Sequence, residues 1–96
     1  MIAQVWTSTG PAGPPSAEVR RFIDEVLAQA RAFDGCEAVM TLADPSTGES
    51  LAINLFRDRA AMDAFQAFSK EKSAESESHG AKVGAPHVYS EVTALL

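Results

Sequence analysis

The stretch SLAINLFRDRAAMDAF, residues 50–65, contains a strand followed by the start of a helix. Its first half alternates in an apolar strand pattern, with one exception at Asn54. Asparagine is disfavoured in strands, and its amide is costly to bury without hydrogen-bond partners. Asp58 then predicts a helix cap, ahead of an apolar helical stripe at Ala61, Met62, Phe65 and Phe68. The stretch therefore raises the question of whether Asn54 serves structure or chemistry.

The residues before this stretch predict a helix and a hairpin. Ser16 is a suitable helix N-cap, apolar residues recur at helical spacing from Val19 onward, and the helix is expected to end near Phe33, with Gly35 as its stop. The segment CEAVMTLAD, residues 36–44, predicts a strand, and DPSTGE supplies the turn residues that lead back into residues 50–57. Residues 36–57 are therefore expected to form a hairpin.

The chain ends contribute the outer elements. Residues 2–7, IAQVWT, and residues 87–96, HVYSEVTALL, predict a first and a last strand. Residues 69–84 are polar on all sides, which leaves open whether they extend the second helix or form a loop. The order β-α-β-β-α-β in 96 residues predicts one α+β domain, residues 1–96, with a ferredoxin-like fold: a four-stranded antiparallel sheet in the order 4-1-3-2, with two helices on one face.

Two helices can cover only one face of such a sheet, yet both faces carry apolar residues. Leu51, Ile53 and Leu55 occupy one side of the third strand, while Ala52 and Phe56 accompany Asn54 on the other. An uncovered apolar face needs a partner, and two-fold pairing of sheet against sheet is the simplest arrangement. The pattern therefore predicts a homodimer.

Composition excludes several classes of partner. The net charge is −5 and no basic residues are clustered, which argues against binding to nucleic acid or to an anionic membrane surface. No apolar run approaches the roughly 20 residues that span a bilayer, and the first residues lack a signal-peptide pattern. The single cysteine, Cys36, is expected to be an inert apolar residue. A cytoplasmic location is the simplest expectation.

Nearly the whole chain resembles the antibiotic biosynthesis monooxygenase-like domains of the dimeric α+β barrel superfamily. The resemblance rests on an aromatic-x-Gly before the second strand (Phe33-x-Gly35), on Phe56 at the end of the third strand, on the cap Asp58, and on the helical pattern Ala61-Met62-x-x-Phe65. It implies a homodimer whose paired sheets form a barrel, with a ligand cavity between sheet and helices in each subunit. Members include cofactor-free oxygenases of polycyclic phenols or quinols and haem-degrading enzymes.

The sequence departs from that pattern in two places. The strand-ending aromatic, often tryptophan in the family, is Phe56 here, and residues 65–78 contain no histidine, so the haem-degrading signature is not matched. The resemblance then implies a cofactor-independent monooxygenase, an oxidoreductase acting on a phenol- or quinol-like aromatic, with no metal and no cofactor. The alternative is a non-catalytic small-molecule-binding or assembly protein of the same fold.

Four residues are candidates for catalysis. Asn54 could hydrogen-bond a ligand oxygen from a rigid central strand, or it could be a satisfied polar group at the subunit interface. Trp6 and Tyr89, with His87 as a base, could form one corner of a pocket, or they could be ordinary strand residues. Candidate ligand-binding residues are the bulky apolar ones expected to line or fill the cavity: Phe22, Met40, Phe56 and Phe65. His79 and His87 lack the further ligands that a zinc site needs.

Overall fold

The computed structural model describes residues 1–94. It contains β1 (Ile2–Thr9), α1 (Ala17–Arg31), β2 (Cys36–Asp44), β3 (Glu49–Phe56), α2 (Arg59–Ser78), β4 (Lys82–Val83) and β5 (His87–Tyr89). All described strand pairs are antiparallel, in the order β2-β3-β1, with both β4 and β5 on the far side of β1. This confirms the predicted α+β, ferredoxin-like fold.

The predicted last strand is shortened to β5, and an additional short strand, β4, precedes it, so the described part of the sheet has five strands where four were predicted. β4 pairs with Ser8 and Thr9, whereas β5 pairs with residues 3–5 of β1. Between them Pro86 has no N–H to contribute to the ladder. The prediction of one strand over residues 87–96 is therefore wrong: the strand ends at Tyr89, residues 90–94 form none, and residues 95 and 96 lie outside the described part of the chain.

Both helices begin at the predicted caps. The Ser16 hydroxyl accepts a hydrogen bond from the N–H of Val19 at 3.2 Å, and Asp58 Oδ1 accepts one from Ala61 at 2.9 Å. α1 ends at Arg31, close to the expected position. α2 continues to Ser78, which settles the segment left undecided: most of residues 69–84 is helix, and loop begins after His79.

The main core lies between the helices and one end of the sheet. Phe56 is fully buried and meets Phe65 edge-on, with ring centroids 5.0 Å apart. Phe65 also packs against Phe33 and Phe68. This cluster, with Met62 and Cys36, anchors the first half of α2 to the sheet. Farther along α2 the large apolar residues stop, and the helix and sheet no longer meet through such a cluster.

Strand register decides which side chains lie under the helices. Phe56 pairs with Ile2, Asn54 with Gln4, and Ala52 with Trp6, so these residues share the helix-covered face. By alternation, Leu51, Ile53 and Leu55 lie on the opposite, open face. The open face exposes Met40, Leu42, Leu51 and Tyr89, as expected of a surface that lacks a helix layer. No helix among residues 1–94 has the length and apolar character needed to cross a membrane.

Candidate functional site

A cavity of about 550 Å³ lies between the helix-covered face and the two helices. One wall is the apolar side of α1. Its lining residues there are Val19, Phe22, Ile23, Val26, Leu27 and Ala30. The opposite wall is the inner side of α2, which carries Phe65 and Phe68 and then polar side chains. The sheet forms the floor through Trp6, Ala52 and Asn54.

The proline-rich segment 10–16 closes one end of the cavity. Its backbone is tied to the β2–β3 turn by hydrogen bonds from Gly10 N to Gly48 O, at 2.9 Å, and from Gly13 N to Pro45 O, at 2.6 Å. Prolines restrict the remaining freedom of this segment. The end wall is therefore held by backbone contacts, and its shape depends on the turn as much as on the segment itself.

Asn54 lies in the cavity floor. It is on β3, hydrogen-bonded between β1 and β2, and opposite Gln4 and Val39. Its side chain is largely buried and borders the cavity. The register places Asn54 beneath the helices and away from the open face. A rigid central strand presents its amide to whatever occupies the cavity.

Two buried polar atoms near Asn54 or in the cavity lining have no hydrogen-bond partner among the described residues. They are Oε1 of Gln4, which neighbours Asn54 across the ladder, and Oγ of Ser69, which lines the cavity from α2. Buried polar groups in proteins are nearly always satisfied, and an unpaired one costs about 1–3 kcal/mol. Ser69 borders the cavity, as expected of a group that hydrogen-bonds a ligand or trapped water, whereas Gln4 is not among the lining residues. Sequence patterning did not indicate either residue.

The predicted catalytic corner of Trp6, His87 and Tyr89 does not form within one subunit. Tyr89 pairs with Ala3 and His87 with Val5, so both lie on the open face, whereas Trp6 lies on the helix-covered face. The rings of His87 and Tyr89 stack on each other, with centroids 6.3 Å apart. The prediction relied on closeness along the strands, but alternate residues of a strand point to opposite faces. The structure leaves Trp6 at the cavity, without them.

The four predicted ligand-binding residues occupy three environments. Phe22 and Phe65 line the cavity walls. Phe56 is buried in the core and is absent from the lining. Met40 borders the cavity, but its pairing with Ile53 places its side chain on the open face. The large side chains therefore shape the cavity without filling it.

The polar second half of α2 forms part of the cavity wall. Although this segment is polar on all sides, one side of it lines the cavity, through Ser69, Lys72, Ser73 and Ser76 on the helix and through the C-cap residue His79. These positions recur at intervals of three and four, the spacing of one helix face. The imidazole of His79 packs against Phe22, with ring centroids 4.9 Å apart. Residue type does not mark this stripe in the sequence, because Ser78 on the same helix does not line the cavity.

Few titratable groups line the cavity. The floor offers the neutral amide of Asn54, and the titratable lining groups among the described residues are Asp44 and Glu49 near the turn, Lys72 on α2 and His79 just after α2. Hydrogen bonds from the side chain and backbone of Ser46 hold the pKa of Asp44 below its usual value. Burial raises the pKa of the Cys36 thiol, which disfavours the reactive thiolate. No group of three or more potential metal ligands occurs among residues 1–94.

Solved structures share this architecture. A candidate antibiotic biosynthesis monooxygenase from Deinococcus radiodurans superimposes with a TM-score of 0.69 at 19% identity, covering 100% of this chain and 97% of that one. The protein Rv0793 from Mycobacterium tuberculosis superimposes with a TM-score of 0.70 at 19% identity, covering 98% of each chain. The protein YJCS superimposes with a TM-score of 0.65 at 11% identity, covering 97% and 100%.

Comparison by sequence finds no relative, in contrast to comparison by structure. No protein-family model matches the chain, and no curated protein is significantly similar to it. The fold and its cavity define an α+β sandwich of the ferredoxin-like class. Within that class, the chain has the fold of an antibiotic biosynthesis monooxygenase-like domain, as the resemblance in its sequence predicted.

Proposed function

We propose that this protein is a cofactor-independent monooxygenase that oxidises a small aromatic phenol or quinol. The observation that carries the proposal is a cavity with an apolar α1 wall and buried polar groups opposite it: Asn54 on a rigid strand of the floor and the unpaired hydroxyl of Ser69 on the α2 wall. Small-molecule sites in proteins are mostly apolar clefts of about 300–1,000 Å³ with a few placed polar groups. The cavity lies within that range.

The lining suits a flat aromatic molecule that carries oxygen substituents. Phe22 on α1 and Phe65 on α2 line opposite walls, and aromatic rings at those positions favour stacked or edge-on contacts with an aromatic ligand. The hydroxyl or carbonyl groups of such a ligand would then meet Asn54 and Ser69. A purely apolar ligand would leave these groups without partners, at a cost in affinity.

The reaction proposed consumes one phenol and one O₂ and yields a quinone and water. One oxygen atom enters the ring, the other leaves as water, and the aromatic substrate supplies all the electrons. The protein's part is to favour the electron-rich phenolate, because deprotonation makes the ring a better reductant. An Asn54 N–H donated to the phenolate oxygen would stabilise that charge as it develops. His79 is the lining group suited to accept the proton.

The test is oxygen consumption and quinone formation with a panel of naphthols and dihydroxynaphthalenes. Asn54→Ala is expected to lower kcat by about 10²-fold or more, the effect of removing one preorganised donor. Thr7→Ala is the matched control, because Thr7 is exposed on the open face of the neighbouring strand. Equal rates for wild type and Asn54→Ala would remove Asn54 from the mechanism.

The alternative is a non-catalytic protein that binds a small molecule in the same cavity. It is favoured by the chemistry of Asn54 and Ser69, whose amide and hydroxyl groups can hold a ligand but cannot accept its proton near neutral pH. His79 lies beyond the end of α2, where the neighbouring Gly80 approaches Pro11 of the end wall. Tight binding of a naphthol without oxygen consumption would favour this alternative.

The open sheet face supports a homodimer, which is the other half of the proposal. Leu42 and Tyr89 are 50% and 52% exposed, and Met40 and Leu51 are 40% and 37% exposed, on the same side of the sheet. Clustered exposed apolar side chains are typical of interaction surfaces. Pairing of two such faces would bury them and complete the barrel that the family resemblance implies.

A further inference from the structure

Lys72 is the one lysine or arginine that lines the cavity within the described part of the chain. Its side chain is only 18% exposed, which is unusual for lysine. The ammonium lies 5.5 Å from the centroid of the Phe68 ring, another lining residue. A positive charge is therefore held against the aromatic part of the wall, one helical turn beyond Ser69.

Two carboxylates accompany this ammonium from outside the cavity. Glu75 Oε1 accepts a hydrogen bond from Lys72 Nζ at 3.1 Å, and Glu71 lies 4.0 Å away. Neither glutamate lines the cavity, and both are more exposed than the lysine, at 42% and 66%. Water screens exposed charges more strongly than buried ones. An anion inside the cavity would therefore interact with Lys72 more strongly than with the glutamates, and an ammonium has three donors to share.

The competing explanation is structural. Lysine stems often cover apolar surface while the ammonium reaches solvent, and the Glu75 pair alone could hold the side chain in place. That explanation predicts indifference to the charge of a ligand. It also predicts that methionine, which keeps an apolar stem over Phe68, would leave ligand binding unchanged.

We propose that Lys72 makes the cavity selective for aromatic ligands that carry an anionic group, a carboxylate or an acidic phenolate, beside the ring system. The inference deepens the proposed function by naming the substrate class, and it requires only that the cavity binds an aromatic ligand. The ring system would occupy the space between Phe22 and Phe65, with its acidic substituent directed at Lys72.

The experiment compares two probes of the same shape, 1-hydroxy-2-naphthoate and 1-hydroxy-2-naphthamide, by calorimetry without oxygen so that neither is consumed. Wild type is expected to bind the acid about tenfold more tightly than the amide, the size of one charge-assisted hydrogen bond. Lys72→Met and Lys72→Gln are expected to abolish the preference, and Lys72→Arg to retain it. Lys70→Met, at an exposed position on the same helix, is the matched control and should behave as wild type.

The preference for the acid should also weaken with added salt, whereas amide binding should not. Equal affinity of wild type for the two probes, failure to bind either, or a preference that survives both Lys72→Met and Lys72→Gln would overturn the inference. The oxidation assay is independent of this result. Charge-selective binding without turnover would count against the monooxygenase alone, and turnover without charge selectivity would count against Lys72 alone.

Discussion

Substitution of Gly48 by alanine tests whether the β2–β3 turn holds the end wall of the cavity. Gly48 has φ = +79°, and a Cβ there would overlap the carbonyl oxygen of Gly10 and lie 3.2 Å from the carbonyl carbon of Pro11. The left-handed conformation costs an alanine about 1–2 kcal/mol. The overlap would also break the hydrogen bond from Gly10 N to Gly48 O, which is worth about 1 kcal/mol. We expect the free energy of unfolding to fall by about 2–3 kcal/mol.

Gly13 provides a matched control on the same segment. Its φ is +110°, but a Cβ added there has no neighbour within 4 Å, so Gly13→Ala carries the backbone strain without the overlap. Urea denaturation followed by circular dichroism measures both variants, and the fluorescence of Trp6 reports on the cavity itself. If Gly48→Ala costs no more than Gly13→Ala, the contact between the turn and the end wall does not contribute to stability, and this reasoning fails.

Two further predictions concern the helix cap and the open face. The hydrogen bond from Ala61 N–H holds the pKa of Asp58 below its usual value. The stability that the Asp58 carboxylate contributes is therefore present above about pH 4 and is lost as the pH falls through the lowered pKa. Asp58→Asn should flatten this part of the pH profile of stability, measured by urea denaturation, and an unchanged slope would contradict the assignment. Leu42→Asp should convert the dimer to a monomer in sedimentation at micromolar concentration, because it places a charge on the open face. The control Asp63→Asn, on the exposed side of α2, should leave the dimer intact. A monomeric wild type would refute the pairing of sheets.

The polar half of α2 shows the limit of reasoning from composition. A segment such as SKEKSAESES has no apolar stripe to bury, so its helix could not be predicted with its full length. In the structure, Ser69 and Lys72 face a cavity that is itself formed only when α1 and the end wall are in place. Inward and outward serines are identical in sequence. The environment that distinguishes them is tertiary.

The prediction for residues 87–96 failed for a related reason. Alternation of Val88 with His87 and Tyr89 correctly indicated a strand, but its length depends on the partner available in β1. β1 offers residues 3–5 to β5 and residues 8–9 to β4, with Pro86 interrupting the ladder between them. A strand forms only where its backbone hydrogen-bonding groups meet those of a second strand in register. The sequence of one segment does not show where its partner strand begins and ends.

Local chemistry determined the elements and their order, because caps, turns and apolar periodicity act over a few residues: Ser16, Asp58 and Gly48 each lie where the sequence predicted a boundary or turn. The class of fold followed, since two helices and short antiparallel strands have few ways to pack. Only the register between β1 and β3 decided on which face of the sheet Asn54 lies and which polar groups lie beside it. A shift of one residue would have placed the same amide on the open face, since side chains alternate along a strand. The site thus depends on strand pairing. Gln4 and Ser69 carry unpaired oxygens because folding removes them from water without supplying partners among the described residues.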